Sequence, residues 1–282
     1  MNIGLVLSGG MAKGAYQIGA LKAILNFLPI DEIKYISCAS VGTLNGYAFA
    51  VNKLEHAEKM WKNICKENNR IFITHILRST LLQQNIKELC YKTKEISSKF
   101  YTSLLDIQHK NIVYKELSSV ESLKQQQYLK ASVAMPIYNR AINVDGISFF
   151  DGAMVDNIPI FPLLKHKLDY IICIYFDNIC YKFENTYFDN KIIKITFPCN
   201  SISKQSLEFC QNGIEKMIVD GFQRTSDVLS LIFKKGYKDV EYIYNIIEQC
   251  NLEEPHYLRV TGDVLVTNLN KVTQKFTKRK IM

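Results

Sequence analysis

Hydrophobic positions recur along this chain in two rhythms. Residues 3–8 form a short apolar run of the length of a buried strand. From Ala12 to Leu28 the apolar positions Ala15, Ile18, Leu21, Leu25 and Leu28 follow helical spacing, and Pro29 stops them. Tyr35 to Cys38 predicts a second strand and Val41 to Val51 a second helix, whose small residues Gly42, Ala48 and Ala50 permit close packing. Residues 53–98 are more polar, with Trp61, Ile64, Ile71, Ile76, Leu81, Leu82, Ile86 and Leu89 at helical spacing. They predict two or three helices, an insertion that either caps a site or joins the core. Strands are expected over 99–105 and 111–115, joined by a turn near Gln108 to Asn111, and then a helix over Val120 to Ala131. Asn139 to Phe150 predicts a hairpin, because Asp145-Gly146 between apolar segments is a type I′ turn signal. Asp169 to Phe176 and Lys191 to Phe197 are continuously apolar, as in a parallel sheet covered on both faces. Ser203 to Phe233 and Lys238 to Cys250 predict helices. The sum is an α/β chain with a central, mostly parallel sheet flanked by helices. It has no internal repeat and no clear linker, so residues 1–282 are read as one domain.

Composition narrows this picture rather than changing it. The chain has 282 residues, 48% of them hydrophobic, enough for one large α/β core. The longest apolar run, Tyr170 to Phe176, is far short of the roughly 18–20 residues that span a membrane. No basic segment precedes the first strand as in a signal peptide, so a cytoplasmic location is expected. Eight cysteines lie scattered, without C-x-x-C pairs or zinc spacing, which predicts reduced thiols and no metal. The net charge of +8 suits either peripheral contact with an anionic lipid surface or an ordinary solvated basic face. Nothing points to nucleic acid. The tail 270–282 carries Lys271, Lys275, Lys278, Arg279 and Lys280 and is expected to fray.

Two turns carry the candidate chemistry. After the first strand comes Gly9-Gly10-Met11-Ala12-Lys13-Gly14. A glycine loop beside a helix N-terminus presents backbone N–H groups to an anion. The spacing matches neither dinucleotide nor P-loop phosphate motifs, which leaves an oxyanion hole over Gly9, Gly10 and Met11, or a plain turn. Lys13 is a supporting group or a solvated first-turn lysine. After the second strand comes Cys38-Ala-Ser40-Val-Gly42, which has the form of a nucleophile elbow with cysteine where glycine is usual. Ser40 then needs a base. His166 and His256 sit in polar or loop contexts and read as surface residues. Asp151 closes the second hairpin strand just before Gly152 and is the better partner, with Asp156 as rival. At its reference pKa of about 3.9 an aspartate is a weak base.

Taken together these residues resemble the patatin-like phospholipase family. Ser8-Gly-Gly-Met-Ala-Lys-Gly14 is similar to that family's oxyanion loop, S-G-G-G-x-[RK]-G. Cys38-Ala-Ser-Val-Gly-Thr-Leu-Asn-Gly46 is similar to its elbow, G-x-S-x-G-x-x-N-G. Ala131-Ser-Val-Ala-Met-Pro136 and Asp151-Gly-Ala-Met-Val-Asp-Asn-Ile-Pro159 are similar to A-S-x-A-x-P and D-G-[GA]-x-x-D-N-x-P. The resemblance implies a Ser40–Asp151 dyad without histidine, supported by Lys13, Gly14, Gly42 and Gly152. It also implies a three-layer α/β fold and hydrolysis of phospholipid or other lipid acyl esters without a cofactor. Met11 and Cys38 depart from the pattern. The competing expectations are an acyltransferase with the same elbow and a non-catalytic lipid-binding protein.

Overall fold

The computed structural model describes residues 1–64, 71–72, 76, 80–93, 95–136, 138–177, 180–183, 186–197, 208–209, 211–253, 256–259 and 279–281. Strand β1 (Ile3–Leu7) leads through a 3-10 turn, Met11–Lys13, into α1 (Gly14–Leu25). β2 (Ile33–Cys38) leads directly into α2 (Val41–Ala50), followed by α3 (Leu54–Asn63). Of the expected insertion, the described parts are α3, a two-residue strand β3 (Ile71–Phe72) and α4 (Thr80–Cys90). Next come β4 (Lys99–Asp106), β5 (Asn111–Glu116) and α5 (Ser122–Ala131). The expected hairpin is β6 (Ile142–Val144) and β7 (Ile147–Asp151). Asp145 and Gly146 both take positive φ, 51° and 85°, as a type I′ turn requires.

β8 (Tyr170–Tyr175), β9 (Cys180–Lys182), α6 (Thr186–Asp189) and β10 (Ile192–Thr196) follow. The helix expected from Ser203 begins later. Glu208–Phe209 is instead a short strand, β11, antiparallel to β3, and α7 spans Gln211–Ile232. α8 (Val240–Glu253) and β12 (His256–Leu258) complete this end, with β12 parallel to β9. Of the basic tail only β13 (Arg279–Ile281) is described, lying parallel to β5; the rest falls outside the described residues.

The main sheet has the order β10-β8-β1-β2-β4-β5-β13, and β7 pairs with β4 and with β6. The pairs β10–β8, β8–β1, β1–β2 and β2–β4 are parallel, while β4–β5, β4–β7 and β6–β7 are antiparallel. Alternate residues of each strand serve opposite faces. Leu5, Leu7, Ile172 and Ile174 enter the large core under α1, α2, α7 and α8. Val6, Ile171, Cys173 and Tyr175 enter a smaller one with Ile158, Ile160, Leu163 and Phe183. The sheet is thus covered on both faces, and the layer around the 3-10 turn Phe161–Leu163 is the thinner. On the helical side α1 and α7 nearly touch. A Cβ on Gly19 would lie 1.8 Å from Ile218 O, and one on Gly221 would lie 2.1 Å from Tyr16 O. Two glycines facing opposite backbones set this crossing. No described helix is long and apolar enough to cross a membrane.

Candidate active site

β1 and β2 are adjacent and parallel, so the turns after them emerge at the same carboxyl edge of the sheet. In open α/β sheets this is where ligands bind. Ser40 sits at the second turn with φ 53° and ψ −132°, a conformation sparsely populated for a residue with a side chain. The strain aims its hydroxyl out of the turn. The elbow is tight: a Cβ on Gly42 would lie 2.6 Å from Ser8 O and 2.7 Å from Leu7 O. Cysteine is tolerated at position 38 because Gly46 leaves room for it; a Cβ on Gly46 would meet Cys38 Sγ at 2.5 Å. Burial pushes the Cys38 thiol well up, so it stays protonated beside the serine.

Asp151 ends β7, where its N–H donates to Ala134 O at 2.8 Å. That contact ties the strand end to the A-S-x-A-x-P segment. Asp151 is 2% exposed. Its carboxylate accepts from Ala153 N–H at 2.9 Å, and the nearby Ser40 hydroxyl favours its charged form. Burial outweighs both influences and pushes the carboxyl up to about 7. The weak base expected from the reference value is therefore replaced by one poised near neutrality; a low dielectric with no compensating cation is the cause. Gly152 keeps this turn against β4, since a Cβ there would meet Leu104 N at 2.5 Å.

The glycine loop runs across the same opening. Gly9, Gly10, Met11, Lys13, Ser40, Met135, Asp151, Asn157 and Phe176 all line one open groove. Gly9 differs from its expected part in the oxyanion hole. Its N–H donates to Asn157 O at 3.2 Å, and Asn157 Nδ2 donates back to Gly9 O at 3.2 Å. Among the described residues the N–H groups of Gly10 and Met11 donate to no protein group, and both stand at the start of the turn into α1. Met11 holds φ 51° although it is not glycine. The Lys13 ammonium lies 5.7 Å from the Phe176 ring centroid, at the rim. Gly14 sits deeper: its carbonyl accepts from Asn45 Nδ2 at 2.9 Å.

Behind Ser40 lies a second hollow, almost wholly apolar. Leu44, Ala57, Trp61, Ile64, Leu82, Leu89 and Val133 line it, from α2, α3, α4 and the segment after α5. The helical insertion thus forms walls of this cavity. Ser40, Met11 and Met135 border both hollows. Asn45 braces the wall, accepting from Trp61 Nε1 at 2.9 Å and donating to Gln17 Oε1 at 2.9 Å.

The rival carboxylate and the histidines lie elsewhere. Asp156 is turned away from the groove: Tyr114 OH donates to its Oδ2 at 2.6 Å and Arg259 Nη2 to its Oδ1 at 2.7 Å. His166 stacks on Tyr35 at 4.0 Å and meets Tyr101 OH at 3.1 Å. The side chain of His256 lies outside the described residues. Asn157, Asn45, Met135 and Phe176 were not singled out from the sequence. The first three stand within the quoted motif blocks, whereas Phe176 carries no local signal.

A search of solved structures gives VipD from Legionella pneumophila, at 12% identity and TM-score 0.48, covering 80% of this chain and 66% of that one. It also gives the type III effector protein ExoU, at 14% identity and TM-score 0.38, covering 80% and 52%. Among curated proteins, lysophospholipase NTE1 from two strains of Cryptococcus neoformans var. neoformans serotype D is 28% identical over 186 residues, 61% of this chain. The alignment takes in 11% of those proteins, so the chain spans about a tenth of their length. The family model described as patatin-like phospholipase matches residues 5–164, which include both turns, the hairpin and Asp151. This chain belongs to the patatin-like phospholipase family.

Proposed function

We propose that the protein is a serine hydrolase of lipid carboxylic esters, a phospholipase A or lysophospholipase in type. The observation that carries this reading is the convergence of Ser40, on its strained turn, and the buried Asp151 on one groove, with Ser40 also lining an apolar cavity. Ser40 Oγ attacks the ester carbonyl carbon and its proton passes to Asp151. Negative charge gathers on the carbonyl oxygen, where the N–H groups of Gly10 and Met11 receive it. The alcohol leaves with the proton from Asp151, and the acyl group stays on Ser40. Water then attacks the acyl-enzyme, Asp151 takes the water's proton, and Ser40 recovers it as the acid departs. No step needs a metal or cofactor.

The two hollows divide the substrate. The apolar cavity takes one acyl chain, and the groove, with Lys13 at its rim, takes the headgroup side. One apolar cavity beside Ser40 suits a substrate with one chain to bury. The name of the lysophospholipase NTE1 relatives agrees with that reading. The groove mouth, with Met154 58% exposed, meets the surface of a membrane or micelle from which the substrate is drawn.

Release of fatty acid from lysophospholipid, diacyl phospholipid and a simple ester tests this directly. Wild type cleaves at least the lysophospholipid and Ser40→Ala cleaves nothing. Asp151→Asn loses about 10²–10⁴-fold, the usual worth of a positioned base. A fully active Asp151→Asn beside an inactive Asp156→Asn would overturn the dyad. Adding an acceptor alcohol separates hydrolysis from acyl transfer.

A further inference from the structure

Arg259 follows β12, well outside the stretch 5–164 that the family model matches. Its N–H donates to Lys182 O at 2.9 Å, extending the pairing of β12 with β9. This places the guanidinium under the loop after Asp151. Nη1 donates to Ile158 O and Nη2 to Asp156 Oδ1, both at 2.7 Å. The guanidinium also lies 5.7 Å from the Phe183 ring centroid. The two acceptors flank Asn157, the residue that grips the glycine loop. Asn157 exchanges two hydrogen bonds with Gly9, and a Cβ on Gly9 would meet Asn157 Oδ1 at 2.4 Å and Ser40 Cβ at 2.8 Å. Arg259 thus holds the residues on either side of Asn157, Asn157 holds Gly9, and Gly9 lies against Ser40.

We propose that Arg259 is a positioning residue for the oxyanion loop. It clamps residues 156–158 so that Asn157 holds Gly9, and through it the N–H groups of Gly10 and Met11, over Ser40. The inference rests on the proposed role of Ser40. A planar fork reaching two acceptors from two separate nitrogens suits this task, whereas a lysine's donors all radiate from one nitrogen and lack that fixed fork. Stability alone is a poor reason for the arrangement, because a buried ion pair often adds little net stability over apolar packing. The clamp also ties the site to the C-terminal segment, so the loop geometry depends on β12 being seated beside β9.

The test measures the rate at which a fluorophosphonate labels Ser40, alongside the thermal midpoint. It compares wild type, Arg259→Met, Arg259→Lys and Lys194→Met. The last breaks another buried pair, Lys194–Asp189 at 2.8 Å on β10, whose residues do not line the groove. Arg259→Met slows labelling about 10–100-fold, less than the roughly 10²–10³ lost when an oxyanion donor is removed outright. Arg259→Lys recovers part of the loss. Lys194→Met lowers the midpoint but labels at the wild-type rate. If Arg259→Met does not fold, Arg259→Lys decides alone: slowed labelling supports the clamp, and a wild-type rate overturns it. A folded Arg259→Met that labels at the wild-type rate also overturns it, as does equal slowing in Lys194→Met at the same loss of midpoint. A wild-type protein that takes no label removes the reading of Ser40, and this inference with it.

Discussion

Asp151 and Asp156 are five residues apart and equally buried, at 2% and 3% exposure, yet their surroundings are opposite. Asp156 is held by the Arg259 guanidinium and the Tyr114 hydroxyl. Asp151 accepts one backbone N–H and has a serine hydroxyl nearby, and burial pushes it up to about 7. The contrast teaches that burial alone assigns no role. A buried carboxylate with a cation becomes a fixed tie; one without a cation is held where a proton is readily gained and lost.

The largest test of this contrast is exchange of charge for amide. Asp151→Asn removes the proposed base and is expected to cost about 10²–10⁴ in kcat/KM, while Asp156→Asn is expected to leave a folded, slower protein. Comparable losses in both would erase the distinction. On stability the order reverses. Removing Arg259 alone strands the Asp156 charge and destabilises by about 3–5 kcal/mol, readable by denaturant unfolding.

Asp151→Asn instead stabilises, and the sign follows from linkage. The carboxyl is raised in the folded state, so the folded protein binds more protons than the unfolded chain between roughly pH 4 and pH 7. That stability is present at the acid end and lost as pH rises through about 7. Against wild type, Asp151→Asn therefore gains most at about pH 8, and the gain shrinks toward about pH 5. Thermal melts at the two pH values check it; a gain independent of pH would contradict the raised value. The smallest effect belongs to Met11→Gly, which relieves the φ of 51° and stabilises by about 1 kcal/mol. It also removes a side chain shared by the groove and the cavity, so the preference between short- and long-chain esters shifts.

These differences also mark what was legible in the sequence. Local patterns carried local facts: the Asp145-Gly146 hairpin, the strands entering the two turns, and the four blocks that hold Ser40, Asp151 and the glycine loop. Facts that arise from distant contacts were hidden. Nothing near Arg259 signals that it reaches the loop after Asp151, because β12 and β9 bring them together. The raised carboxyl of Asp151 is a property of burial and of missing cations, which spacing does not reveal. Gly9 looks like Gly10 in sequence and differs only because Asn157 takes its N–H. The strand β11 lies within a stretch of helical expectation because its partner β3 is remote in the chain.

The most direct test of the central claim is the pH dependence of kcat/KM for a soluble ester, in wild type and Asp151→Asn. The account predicts a wild-type rate that rises with pH to a plateau, with its midpoint near the Asp151 value of about 7. It predicts a low rate without that step in Asp151→Asn. A wild-type profile flat across neutrality, or the same step surviving in Asp151→Asn, would contradict it.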